Sequence, residues 1–205
     1  MSVELQLVEY YAPHRKQILH AVKILQKGGV IVYPTDTIYG LAADIMNKEA
    51  VNRIFKIKKV SKQKLLSLIC RDIQEVSNWA HVSNHAHRVM KKVLPGAYTF
   101  ILPASKEVPK SILEKRQTVG IRIPDCAVSM ALVEELGRPM LSTSVPMGPD
   151  DYTTDPHKIA EMYKHDLDLV LDGGIMPMDP STVVDFTQNP PEIIREGSGD
   201  VSKLF

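Results

Sequence analysis

Several short stretches of this chain bring together residue types that bind anions or hydroxylated small molecules. Pro34-Thr35-Asp36-Thr37-Ile38-Tyr39-Gly40-Leu41 sets two hydroxyls and a carboxylate directly after the β-branched run Val30-Ile31-Val32-Tyr33. Open α/β sheets hold ligands at strand ends, and hydroxyls there can bind phosphate or carboxylate oxygens. The same residues could equally satisfy the amides of a turn. Thr118-Val119-Gly120-Ile121-Arg122-Ile123-Pro124 places a charge inside an otherwise apolar strand. Thr118, Gly120 and Arg122 share one face of the pleat. The glycine predicts open space beside a guanidinium suited to carboxylate or phosphate, where a structural Arg would instead have an internal acid as partner. Leu141-Ser142-Thr143-Ser144 adds three hydroxyls at another predicted strand end.

Charge offers a second signal. Arg53, Lys56, Lys58, Lys59, Lys62 and Lys64 follow one another with no acid between them. Such a run attracts the phosphates of a nucleotide or an RNA, or else forms a solvated face. The chain as a whole has no such bias, with 25 basic and 24 acidic residues and a net charge of +1. Any anion binding must therefore be local. His81, His85 and His87 lie close in sequence, but the i, i+2 pair on a helix points to different faces, so no metal site is expected. There is no GxGxxG, Walker A or GxSxG pattern. Chemistry here would rest on positioning and charge stabilisation, with no covalent catalytic residue assigned.

The elements that must position these groups alternate along the chain. Strands are predicted over 3–8, 30–33, 65–70, 98–102, 118–123, from 140 to 142, and over 167–171, 182–186 and 193–195. Helices are predicted from Pro13 to Gly28-Gly29 and over 48–58, 73–80, 83–93, 128–136 and 157–163. The segment 34–41 reads as a loop, and 145–156 as a surface loop rich in Pro, Gly and Asp. Interleaved helices and strands predict an α/β layered domain with a mixed, twisted sheet. At 205 residues and 44% hydrophobic, one domain over 1–205 is expected. Cys70 and Cys126 show no metal or disulfide spacing and are expected to be buried free thiols. Without a leader-like start or a bilayer-length apolar run, the expected location is the cytoplasm.

Together, Gly28-Gly29-Val30-Ile31-Val32-Tyr33-Pro34-Thr35-Asp36-Thr37-Ile38-Tyr39-Gly40-Leu41, Leu94-Pro95-Gly96 before a Thr99-bearing strand, Gly120-Ile121-Arg122-Ile123-Pro124 and Ser142-Thr143-Ser144 resemble the YrdC/YciO family in order and spacing. The tail, Ser181-Thr182-Val183-Val184-Asp185 and Ile193-Ile194-Arg195-Glu196-Gly197, fits as well. The resemblance implies a YrdC-like twisted α/β sheet with a large concave basic cavity. It further implies L-threonylcarbamoyladenylate synthase activity, in which ATP, L-threonine and bicarbonate give threonylcarbamoyl-AMP and pyrophosphate for tRNA modification. ATP enters as substrate with Mg²⁺, and tRNA or double-stranded RNA is an implied partner. By the same resemblance, Thr35, Thr37, Arg122 and Ser142 would bind threonine. Lys58, Lys64, Thr118, Ser144 and Arg195 would bind nucleotide or phosphate, while Arg53, Lys56, Lys59 and Lys62 would form an RNA or phosphate patch.

Two positions depart from the synthase pattern. Its KxR motif reads Lys58-Lys59-Val60 here, and its SxN motif reads Ser144-Val145-Pro146. Neither Val60 nor Pro146 has a side-chain donor for phosphate. These departures resemble the YciO branch. They leave two expectations open: weak synthase turnover, or binding of double-stranded RNA or related nucleotide or carbamoyl chemistry without that activity.

Overall fold

In the computed structural model, residues 3–58, 66–113, 117–146 and 153–204 are described. The chain begins with β1 (Glu4–Leu7), α1 (Arg15–Gln26), β2 (Val30–Tyr33), β3 (Gly40–Asp44) and α2 (Lys48–Lys58). It continues through β4 (Ser67–Ile69), α3 (Ile73–Trp79), α4 (Asn84–Val93), β5 (Tyr98–Pro103), α5 (Lys110–Leu113) and β6 (Thr118–Arg122). The remaining elements are α6 (Ala127–Leu136), β7 (Met140–Ser144), α7 (Pro156–Met162), β8 (Leu169–Asp172), β9 (Thr182–Asp185) and β10 (Glu192–Arg195). A 3₁₀ turn over Val201–Lys203 follows.

The ten strands among the described residues form one sheet in the order β1-β8-β2-β3-β7-β4-β6-β5-β9-β10. Parallel pairs such as β2/β8 and β4/β6 stand beside antiparallel ones such as β2/β3 and β5/β6, so the sheet is mixed as expected. One strand escapes the sequence reading. Gly40-Leu41-Ala42-Ala43-Asp44 has no β-branched residue, yet it is fully buried between β2 and β7. Its neighbours on both edges supply the hydrogen bonds that its own composition does not favour, an override of local propensity by tertiary pairing. Short α5 likewise has too little periodicity to be read. Of the predicted strand 65–70, Ser67–Ile69 is strand and residue 65 lies outside the described residues; the strand begun at Met140 runs on to Ser144.

The two faces of the sheet are dressed differently. Val32, Leu41, Leu68, Phe100, Ile121, Leu141 and Val170 point into a core shared with Val51 and Ile54 of α2, Val76 of α3, Met90 of α4, Ile112 of α5 and Ile159 of α7. On the other face, Ile31, Ala42, Ile69, Met140, Leu169 and Leu171 cluster with α1, through Ile18, Val22 and Leu25, and with α6, through Val128, Leu132 and Leu136. Among the described residues α1 and α6 are the helices packed on that face, which is ten strands wide.

The sheet also curls. β8 and β9 stand second and ninth in the order, a separation of about 34 Å on a flat sheet at about 4.8 Å per strand. The connection between them reaches about 33 to 36 Å only when fully extended. It is not extended: Gly174 has φ +90°, Met176 N–H donates to Thr154 O, and Gly173 N–H donates to Tyr39 Oη. The ends of the sheet are therefore drawn toward each other.

No helix among the described residues is long and apolar enough to cross a membrane. Cys70 and Cys126 are buried free thiols, and burial pushes the Cys70 thiol well above its ordinary pKa.

Candidate functional site

On the face that carries α1 and α6, the register places Leu169, Ile31, Ala42, Ser142, Ser67 and Gly120 side by side across β8, β2, β3, β7, β4 and β6. The first three are apolar and lie under α1 and α6; the next two carry hydroxyls. One pleat further along β6 comes Arg122, opposite Thr99 on β5. A patch of hydroxyls around one guanidinium thus begins where the helices stop.

Arg122 reaches the turn after β2. Its Nη2 donates to Asp36 Oδ1 at 2.6 Å and to Thr37 Oγ1 at 2.7 Å, with Thr35 Oγ1 at 3.5 Å. The Arg122 and Asp36 side chains are 10% and 11% exposed. The structure corrects the expectation that Arg122 has open space in place of an acid partner: Asp36 is that partner. A buried guanidinium requires one, because its desolvation is not otherwise offset. The space foreseen at Gly120 is also filled. A Cβ there would lie 2.9 Å from Ser67 Oγ and 3.2 Å from Leu66 O, so the glycine permits close approach of β4.

The turn itself is held on every side. Thr35 Oγ1 donates to Ile38 O at 2.7 Å and accepts from Thr37 N–H at 3.0 Å. Pro34 O accepts from Ser129 Oγ at 2.9 Å and faces Cys126 Sγ at 3.4 Å, both near the start of α6. Thr35 O accepts from Tyr10 Oη at 3.0 Å, and Asp36 Oδ2 accepts from Asp125 N–H at 3.1 Å. Such a turn keeps its hydroxyls in place without a ligand, which is the preorganisation a binding site needs. Sequence reasoning did not single out Asp36, Tyr10, Cys126 or Ser129 as site residues. The signal for Asp36 was available, since a charged residue inside an apolar strand demands a counter-charge.

Behind this turn, Tyr33 lies flat against Gly40, where a Cβ would come within 2.6 Å of the ring. That contact lets Tyr33 Oη reach Ser142 Oγ at 2.8 Å. Burial pushes the Tyr33 phenol up to about 12, and burial likewise raises Tyr10 and Tyr39. All three remain protonated near neutrality.

Lys58, the last residue of α2, sends Nζ to Ser144 O and Ser144 Oγ, both at 3.0 Å. Two residues expected at the nucleotide thus meet. Thr118 lies on the same face as Arg122 but at the far end of β6, half-buried opposite Pro103. Arg195 lies further across the sheet on β10, donating from Nε and Nη2 to Ser181 O at 3.1 and 2.7 Å. Ser181 Oγ is 2.9 Å from Thr99 Oγ1, the residue opposite Arg122.

One member of the basic run has an acidic partner elsewhere in the fold. Arg53 pairs with Asp168 at 2.9 Å and donates to Asp166 O and Gly28 O, so it ties α2 to the segment before β8. The acid that the run 53–64 itself lacks comes from a distant part of the chain. Lys56 is exposed; Lys59, Lys62 and Lys64 lie outside the described residues. His85 packs edge-on to Phe186, with ring centroids 5.5 Å apart.

Known proteins share this fold. The family model Sua5/yciO/yrdC, described as telomere recombination, matches residues 23–197. The YciO protein of Escherichia coli is 44% identical over 195 residues, covering 94% of this chain and 95% of its own. Its crystal structure superposes with a TM-score of 0.94 at 41% identity, over 99% of this chain and 100% of that one. The threonylcarbamoyl-AMP synthase of Pyrococcus abyssi is 30% identical over 179 residues, which are 86% of this chain and 53% of the synthase. A crystal structure of P. abyssi Sua5 complexed with L-threonine matches with a TM-score of 0.88 and 28% identity, over 94% of this chain and 57% of that one. With the match running from α1 to beyond β10 and carrying both the Thr35 turn and Arg122, the chain belongs to the Sua5/YciO/YrdC family.

Proposed function

We propose that the pocket formed by Thr35, Thr37 and Arg122 binds L-threonine and that the adjoining Lys58–Ser144 pair faces ATP, for chemistry of the threonylcarbamoyl-AMP synthase type. The threonine amine and bicarbonate combine to a carbamate with loss of water. A carbamate oxygen then attacks the α-phosphorus of ATP and pyrophosphate leaves. One observation carries the reading: a guanidinium about nine-tenths buried, fixed against two threonine hydroxyls at a strand end, with Nε buried and without a hydrogen-bond partner. A buried orphan donor is rare and invites an acceptor from a ligand. Likeness to a Sua5 crystallised with L-threonine supports the choice of amino acid.

Mg²⁺ would arrive with the triphosphate. Among the described residues no group of three His, Cys, Asp or Glu side chains could hold a metal, and Mg²⁺ is commonly bound through substrate phosphates. Where the synthase pattern has Asn, Pro146 offers only its carbonyl, which accepts from Tyr163 Oη at 2.6 Å. Each missing donor to a developing charge lowers turnover by about 10²- to 10³-fold, so slow turnover is expected.

The test is pyrophosphate release by the purified protein with ATP, L-threonine, bicarbonate and Mg²⁺. Release that requires threonine and disappears in Arg122→Ala supports the reading. Release indifferent to threonine or to Arg122→Ala overturns it, and tight RNA binding without release would favour the binding-protein alternative.

A further inference from the structure

Resting on the threonine-site reading, we infer that Asp36 selects the α-ammonium of the ligand whose carboxylate Arg122 binds, making the pocket specific for a zwitterionic α-amino acid. The argument begins with hydrogens. Nη2 of a guanidinium carries two, and here its two short contacts are Asp36 Oδ1 and Thr37 Oγ1. Both bidentate edges of a guanidinium use an Nη2 hydrogen, so the fork that normally grips a carboxylate is engaged from within. Nη1 donates to no described residue, and Nε is buried and unpartnered. An incoming carboxylate therefore meets single donors, which hold it less firmly than a fork.

Charge leads to the same place. Arg122 and Asp36 together carry no net charge, so a lone anion entering the pocket is drawn by Arg122 and repelled by a carboxylate 2.6 Å from it. A zwitterion meets a different field. Laid antiparallel to the Arg122–Asp36 pair, each of its charges faces an opposite one. The low exposure of both side chains strengthens that match relative to water. Asp36 has room to take part. A carboxylate accepts at about four lone-pair sites, and its described partners are Arg122 Nη2 on Oδ1 and Asp125 N–H on Oδ2. These same two bonds fix its oxygens in the turn, so it need not reorganise on binding.

The experiment is calorimetric titration of the full chain with L-threonine and with 2,3-dihydroxybutanoate, which replaces the ammonium by a hydroxyl and keeps the carboxylate. The unmodified protein should bind threonine at least about tenfold more tightly, the scale of one hydrogen bond to a charged group. In Asp36→Asn that preference should fall to about threefold or less. Equal binding of the two ligands by the unmodified protein, or a preference unchanged in Asp36→Asn, overturns the inference and leaves the threonine site standing. Failure of the unmodified protein to bind either ligand removes the threonine site, and this inference with it. If Asp36→Asn does not fold, Asp36→Glu serves: it keeps the charge but moves it, and should weaken threonine binding while sparing the hydroxy acid. Equal weakening of both would overturn the assignment.

Discussion

The same face of one sheet behaves as two materials. Under α1 and α6 it is a dry contact of Ile31, Ala42, Met140 and Leu169 with Val22, Leu132 and Leu136. A few strands across, with the pleat unchanged, it presents Ser142, Ser67, Arg122 and Thr99. β7 contains the whole transition in alternate residues, Met140, Ser142 and Ser144. Apolar positions there are satisfied by any well-fitting hydrocarbon, whereas each polar position depends on a particular partner. Robustness and specificity are thus divided along a strand.

Three sites of substitution, the first with a compensating double variant, sharpen that division, the largest effect first. Asp36→Ala should lower stability by about 3 to 5 kcal/mol by leaving Arg122 buried and uncompensated, and the double variant Asp36→Leu/Arg122→Met should regain most of the loss. Urea denaturation measures both; a single variant as stable as the parent would show that the pair is effectively solvated. On the apolar side, Leu132→Ala should cost about 2 to 5 kcal/mol through the cavity it leaves. Threonine affinity per folded molecule should not change. An altered affinity would mean that the two halves are coupled. Smallest is Gly40→Ala, which should cost about 1 to 3 kcal/mol by overpacking against Tyr33. Because it moves the ring away from Ser142 it should also weaken threonine binding, which calorimetry would detect.

Much of this was legible in the residues. Periodicity located most helices and strands, and the Thr35 turn and Arg122 stood out by chemistry. Lys58 and Ser144 were each assigned to the nucleotide by resemblance, and their contact joins them. What was not legible depended on pairing between distant segments. β3 is a strand because β2 and β7 enclose it, although Gly and Ala dominate it. Arg53 stood in a basic run, but Asp168, far along the chain, neutralises it. Gly120 suggested a vacancy because the residue that fills it, Ser67, belongs to a strand with no sequence signal connecting it to β6.

β4 carries a consequence for how the molecule forms. Only three residues long, it sits at the centre of the sheet between β6 and β7, both of which come later in the chain. No hairpin can nucleate it; long loops must close before it has any partner, and such contacts form slowly. Ser67, Arg122 and Ser142 become neighbours only when β4 slots in, so a half-folded chain lacks this arrangement. A ligand of this site would bind the finished fold and nothing before it, and would stabilise that fold by mass action. Occupancy of the proposed site would double as proof of completed assembly.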